Sequence, residues 1–566
     1  MTRSNEKNRD HSRAVKTFVD SRFRGLAILL FPVFFVLHFA YVSEQAQTNP
    51  RRTQVRETSN IDERLSPSAR QAVEAAAAAF QADDLATAEA QARKAIIMAP
   101  RSSVANNLMG AILDKKGDSD GAFRYFSTAI KFAPNFVSAK NNIGNWLAQH
   151  GKIPEAIVQF EQVLRLEPTH LQARYNLGAI YAEQGNYRKA ADNFAVVWKA
   201  SPNDVQLALA FLNVAYRADR AGEANQAAEM VERGVQGNSR GMFTLAVALA
   251  QNDQFERALP LFTKVNELSP KTYEILYNLG LVLDKLKRSD EAIQYLAQAA
   301  DLNPDPPETH LRLGVIASEK NDHTNAAEEF RHAIQRDVKN PNYHFLLGRE
   351  YFRAGFWEGA ILEYGEATKL NPKEPLYIVG RANANYRKGE WQSAANDYDL
   401  LATVAPDYKD LDYLRGYAHR AAGNFDKARV LLEKFIASNP DHVEASASLG
   451  YVAIEQGRFE EAKKPIERAL SLDRQNAAVL YDYARLAIKE KNYGEAVKRL
   501  EAVIAINKFN PQAHYQLFLS YSRLKQAEKA NAALTEFKRL EALDKQAQNE
   551  RIFDEKLRAQ KMLGRP

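Results

Sequence analysis

The sequence predicts an all-α solenoid of about fourteen helix–turn–helix units, each 34 residues long, preceded by one N-terminal hydrophobic helix. Three observations carry this prediction. From Ala69 onward the chain repeats with a period of 34 and never slips, so that fourteen units end at Asp544. Position 20 of the unit is Ala in all fourteen, from Ala88 and Ala122 through to Ala496 and Ala530. Position 8 is Gly in eight units (Gly110, Gly144, Gly178, Gly280, Gly314, Gly348, Gly416, Gly450) and Ala in four more. A fixed period in this range marks a stacked array rather than a string of globular domains.

Each element of the unit has its own reason. Two helices joined by a short turn approach to about 8–10 Å only where small residues meet, which suits positions 8 and 20. The larger residue at position 24 (Phe126, Phe160, Phe194, Phe262, Phe330, Tyr364) is expected to fill the space toward the next unit. Gly at position 15 (Gly117, Gly151, Gly185, Gly355, Gly389, Gly423, Gly457) is expected to supply the positive φ that closes the first helix. Pro stands at position 32 in nine units and ends the second helix, which it cannot continue. One unit cannot bury its apolar face alone; a stack buries a continuous core. Unit five carries Leu212 at position 8 and Gln236 at position 32, so a local distortion is expected over 205–238. Residues 545–566 read as a charged capping helix and tail.

The unit at 171–204 contains L-G-x2-Y (Leu177, Gly178, Tyr181), then Ala190 with Phe194 four residues on, then Pro202. This resembles the tetratricopeptide repeat. The family's leading Trp is absent, Arg174 standing there. The resemblance implies a right-handed superhelix over 67–544, whose first helices line a concave groove with positions 2, 5, 6, 9, 12 and 13. It also implies a non-enzymatic scaffold that binds protein or peptide segments in that groove.

The first 66 residues stand apart. Residues 1–24 hold seven Lys or Arg against three acids, a basic arm expected in the cytoplasm. Residues 25–42 (GLAILLFPVFFVLHFAYV) carry no charge other than a possible one on His38, and a helix of that length spans roughly 27 Å. They read as a signal-anchor or signal-peptide segment, followed by a flexible linker over 43–66. The 24-residue arm and the long apolar run favour a retained anchor, with the repeats on the non-cytoplasmic side of the membrane. The alternative is a secreted or periplasmic protein after cleavage near Ala46. Of the formal net charge of +6, the arm holds +4, residues 25–66 balance, and the remaining 500 residues carry only +2. A nearly neutral body does not make the footprint that phosphate binding needs, so no nucleic-acid partner is expected. Cysteine is absent, which removes disulfides, thiolate metal sites and cysteine nucleophiles.

Along the groove positions two chemical zones follow. The first is neutral amide: Asn107, Asn141, Asn142, Asn145, Gln149, Gln172 and Asn176, with Asn278 further along. An amide both donates and accepts, so a row of them can grip an extended peptide backbone whatever its side chains. This looks like the asparagine ladder in the repeat half of O-linked N-acetylglucosamine transferases. Cochaperones of the class clamp a terminal carboxylate with two Asn and three cations. Asn145 and Asn176 match the two Asn, but Asn141, Gln206 and Ala210 stand where the cations would be. No such clamp is expected there. The second zone is aromatic and basic: Tyr413, Tyr417, Tyr451, Tyr481 and Tyr515 with Arg349, Arg353, Arg387, Arg420, Arg485, Lys489 and Arg523, partly offset by Asp410, Glu444, Glu455 and Asp482. Tyr and Arg often dominate protein interfaces, and this zone suits an acidic or aromatic-rich partner.

Catalytic signals are absent: no HExxH, G-x-S-x-G or P-loop occurs, and the 22 residues after the last unit are too few for a catalytic domain. His310, His344 and His514 share position 4 of their units, with no carboxylate partner expected to recur. No cofactor, metal or small-molecule substrate is expected. The sequence therefore predicts a cell-envelope scaffold. An assembly or export factor for surface polysaccharide or a secretion machine is the alternative; a helical-repeat RNA binder or a non-catalytic partner of a glycosyltransferase ranks lower.

Overall fold

The computed structural model describes residues 65–562. The expected basic arm, hydrophobic segment and nearly all of the linker lie outside these residues. No helix among the described residues is long and apolar enough to cross a membrane. Twenty-eight helices and no strand occupy the described chain. They form fourteen helical hairpins in the register of the 34-residue period. The first hairpin pairs Pro67–Gln81 with Leu85–Met98, and the last pairs Pro511–Arg523 with Ala527–Met562. Two compact blocks result, meeting in sequence between Lys271 and Thr272, so that the first holds hairpins one to six and the second hairpins seven to fourteen.

The hairpin core follows from the size of a few side chains. The alanine at position 20 has no solvent exposure in thirteen hairpins, and Ala530 keeps 4%. A Cβ added to Gly144 would lie 2.7–2.9 Å from the Phe160 ring, and one on Gly314 would lie 2.6 Å from the Phe330 ring. The position-24 ring therefore lies over the position-8 glycine of its own hairpin. It also reaches onward: a Cβ at Gly380, in the next hairpin, would meet Tyr364 at 2.8 Å. Close-packed interiors leave no slack for an added methyl group here.

Each turn uses one residue in the left-handed region. All seven position-15 glycines have φ between 71° and 93°. In the other seven hairpins the same position is Asp83, Asp219, Asp253, Lys287, Asn321, Lys491 or Lys525, with φ between 58° and 63°. The geometry is thus dictated by the hairpin, and glycine only makes it inexpensive. Position 34 often caps the next first helix: Ser102 Oγ accepts from Ala105 N at 3.2 Å, and Asn476 Oδ1 from Val479 N at 3.2 Å.

Hairpin five keeps both helices in register, Val205–Arg217 and Ala221–Gly234. The usual size pair is inverted in it: Leu212 at position 8 and Ala228 at position 24 are both fully buried. The expected distortion is confined to the closing turn, where Gly237 takes φ 75° and buried Val235 caps the helix. The last second helix does not stop at 544. It runs on as one helix to Met562, beyond buried Leu540, and within the second block it packs against the second helix of hairpin eight, His323–Arg336.

Candidate binding face

The amide zone lies on the first helices of hairpins two to four, Ser103–Lys116, Val137–Gln149 and Leu171–Glu183. Its side chains bond to one another from helix to helix. Asn142 Nδ2 donates to Asn107 Oδ1 at 3.0 Å, and Asn176 Nδ2 donates to Asn145 Oδ1 at 2.5 Å. Gln172 Nε2 donates to Asn176 Oδ1 at 3.1 Å. Each of these bonds uses part of an amide's capacity, and further donors and acceptors remain on every member. Gln149 is exposed at the end of its helix. Asn141 is placed differently: it is 7% exposed, and its Oδ1 makes no hydrogen bond among the described residues. Asn278, in the second block, donates back to its own helix at Glu274 O, 2.7 Å away. The row also continues where sequence reading stopped. Asn252 Nδ2 donates to Asn213 Oδ1 at 2.9 Å, joining hairpins five and six. Asn213 occupies position 9, as Asn145 does, and that shared position is the signal that could have found it.

The basic and aromatic zone is largely engaged in internal pairs. Glu350 has no solvent exposure and gathers Ser318 Oγ at 2.8 Å, His323 Nδ1 at 2.9 Å, Arg349 Nε at 3.0 Å and Arg353 Nη1 at 3.5 Å. Burial alone would raise its carboxyl; these donors overcome that and hold it below the usual carboxylate range. Arg349 and Arg353 thus neutralise a buried acid. Tyr413 and Tyr417 are each 6% exposed and belong to a core cluster with Phe435 and Leu432. Their rings lie 5.7 Å apart, and His442 sits 4.6 Å from Tyr413. Arg485 bonds Glu455 at 2.7 Å and Asp482 at 3.1 Å. Arg387 lies over the Trp357 ring at 5.8 Å, and burial draws its guanidinium below its ordinary value. Arg420 stands between Tyr417 and Tyr451, at 4.6 and 5.0 Å from the ring centres. Tyr481 is half-buried, whereas Tyr515 and Arg523, on the last first helix, are exposed.

Family models described as tetratricopeptide repeat match residues 147–212 and 453–520, and a second such model matches 243–307, 277–341, 345–408 and 413–478. Together these matches cover more than half of the chain. The chain belongs to the tetratricopeptide repeat family. It is a repeat scaffold suited to protein–protein interaction. No curated protein matches this tetratricopeptide repeat chain. Among solved structures it is similar to the Cut9–Hcn1 hetero-tetramer of the APC/C, with 13% identity over 80% of this chain and 96% of that one, at a TM-score of 0.31. It is similar to MamA, with 23% identity over 30% of this chain and 93% of that one, at a TM-score of 0.28. A third likeness is to a tetratricopeptide repeat protein from Parabacteroides merdae, with 16% identity over 44% of this chain and 98% of that one, at a TM-score of 0.33. At such scores the likenesses carry no argument about partners.

One expectation about this tetratricopeptide repeat array is overturned. A carboxylate partner does recur with the position-4 histidines. His310 Nδ1 lies 2.8 Å from Glu329 Oε2, and His344 Nδ1 lies 2.8 Å from Glu363 Oε2, in both cases 19 residues on, at position 23. The first and second helices of a hairpin bring positions 4 and 23 together, which spacing within one helix does not reveal. His514 lacks the pair because Ala533 occupies position 23 of its hairpin. His344 Nε2 also meets Val338 O at 3.2 Å, and the Glu363 bond raises its pKa despite burial. Among the described residues no group of three or more His, Asp or Glu side chains could hold a metal ion.

Proposed function

We propose that this chain is a non-enzymatic envelope scaffold that holds an extended protein segment along the first-helix face of hairpins two to six. The hydrogen-bonded amide pairs Asn107–Asn142, Asn145–Asn176 and Asn213–Asn252 are the observation that carries the reading. An amide at the centre of a helix costs up to about 0.7 kcal/mol relative to Ala. Lys or Glu would serve a merely solvated face at lower cost. Mutual bonds fix the amide rotamers in advance, so a peptide backbone meets donors and acceptors already oriented, and less freedom is lost on binding. Asn141, in the same stretch, adds a buried acceptor that none of the described residues hydrogen-bonds.

The test replaces Asn142, Asn145 and Asn176 together by Ala and measures crosslinked capture of partners from native membranes. Capture should fall while helix stability rises slightly; unchanged capture would reject the amide row as the binding element. The envelope placement rests on the uncharged run at 25–42 behind its basic arm. A reporter fused after residue 66 is expected to be active outside the cytoplasm, and activity inside it would reject the export.

A further inference from the structure

The second block contains a guanidinium that no carboxylate hydrogen-bonds among the described residues, Asp482 acting on it only through its charge. Arg420, on Leu411–Ala422, lies over the rings of Tyr417 of its own helix and Tyr451 of the next hairpin. Arg485 covers the Tyr451 ring at 5.4 Å. Asp482, whose charge acts on Arg420, is hydrogen-bonded to Arg485, as is Glu455. Arg420 makes no hydrogen bond or ion pair among the described residues, and of its nitrogens only Nε is both buried and unbonded. The residue as a whole is half-buried, so the Nη edge is the side that can meet solvent. Two rings within 5.0 Å restrain the guanidinium, and a restrained guanidinium edge can present two parallel N–H donors at the spacing of a carboxylate's oxygens. A buried cation is normally paired; the aromatic faces and the charge of Asp482 offset part of that need, and no hydrogen-bonding acceptor completes it among the described residues.

We infer that Arg420, set between Tyr417 and Tyr451, is the receptor for a side-chain carboxylate on an extended acidic segment of a partner protein. The distribution of charge favours a segment over a single chain terminus. Lys489 and Arg523 are exposed further along the same groove positions, in hairpins thirteen and fourteen. A terminal carboxylate needs one concentrated cluster, whereas cations spaced over successive hairpins suit several acids in a row. This inference rests on the reading that first-helix faces hold protein segments, but on a different block and different chemistry.

The test uses the full chain and fluorescence anisotropy. Three labelled probes are compared: an amidated peptide alternating Glu and Ser, its Gln counterpart, and the Gln peptide with a free C-terminal acid. The expected result is that the Glu peptide binds about tenfold tighter than the amidated Gln peptide, the scale of one charge-assisted fork. Arg420→Gln should abolish that preference, Arg420→Lys should retain only part of it, and Arg523→Gln should leave most of it. Thermal melts verify folding; should Arg420→Gln fail to fold, Arg420→Lys and Tyr451→Leu, each expected to lower the preference, carry the test. A preference that survives in folded Arg420 variants overturns the inference, as does a preference shown only by the free C-terminal acid. If the amide triple variant loses capture while the Glu preference ignores Arg420, this inference falls and the amide row stands. If no probe binds and the amide variant also captures normally, both fall.

Discussion

At the scale of single residues, the backbone asks the same thing of position 15 in every hairpin. Seven hairpins answer with a residue other than glycine at φ near 60°. Such a conformation costs of order 1–3 kcal/mol for a side-chain-bearing residue, partly offset by the greater freedom of glycine in the unfolded chain. Lys491→Gly should therefore stabilise the second block by roughly 0.5–1 kcal/mol, read as a shift in the denaturant midpoint. A loss of stability would mean that Lys491 makes a compensating contact. A second residue-scale expectation concerns pH. The folded-state pKa of His344 is raised above its unfolded value by Glu363. Its contribution is then fully present below the unfolded value of about 6.5 and is lost as pH rises through the folded one. The stability difference between the natural chain and His344→Gln should be larger at acidic than at alkaline pH, and a difference independent of pH would contradict the assignment. Residue-scale legibility was uneven. Gly144 and Gly151 could be assigned their roles from letters alone, because steric demands attach to one residue. Arg349 and Arg353 could not, because the acid that binds them, Glu350, has an ordinary helical spacing and betrays its burial only in three dimensions.

At the scale of the hairpin, two positions have to be read as a pair. Leu212 at position 8 looks like a fault until Ala228 at position 24 is placed beside it. Reading the positions separately predicted a local distortion near 205–238, whereas the helices keep their register and only the closing turn departs. The size exchange has a measurable signature. Ala228→Phe alone should overpack hairpin five by about 1–3 kcal/mol, and Leu212→Gly alone should destabilise it through a cavity and lost helix propensity. Combined, they rebuild the pair found in hairpins three and four, so the double variant should be more stable than the sum of the singles predicts, with a coupling of roughly 0.5–3 kcal/mol. Additive losses would refute the size-pair account. The histidine–carboxylate pairs escaped sequence reading for the same reason. Positions 4 and 23 lie on different helices, and no single-helix periodicity links them.

At the scale of the molecule, the repeat pattern made the helices and their order legible, because it is set by contacts within a hairpin and to its neighbours. The division at Lys271/Thr272 was not legible, since the period runs through it unchanged. Lys271 takes φ 58° just before the boundary, outside the position-15 series. Residues 272–566 expressed alone should fold, with a helical circular dichroism signal and a cooperative melt; a gradual, featureless melt would show that this block depends on residues before it. Stacked arrays need not unfold in one step, so the full chain is expected to give more than one denaturant transition.

The self-contained size pair has an evolutionary and engineering consequence. Because the side chain at position 24 rests on position 8 of its own hairpin, and the turn at position 15 lies between them, this inner pair moves with its 34-residue block, while the outer faces of the block still need a neighbour. Hairpins duplicated, deleted or exchanged as whole blocks keep this pair and have to rebuild only their contacts to neighbours, and hairpin five keeps its pair provided Leu212 and Ala228 travel together. The Tyr417–Arg420–Tyr451 sandwich obeys the opposite rule, for it is shared between hairpins eleven and twelve and is destroyed by a cut between them. Changes of length by whole hairpins spare the inner pair, while the sandwich is bound to particular neighbours.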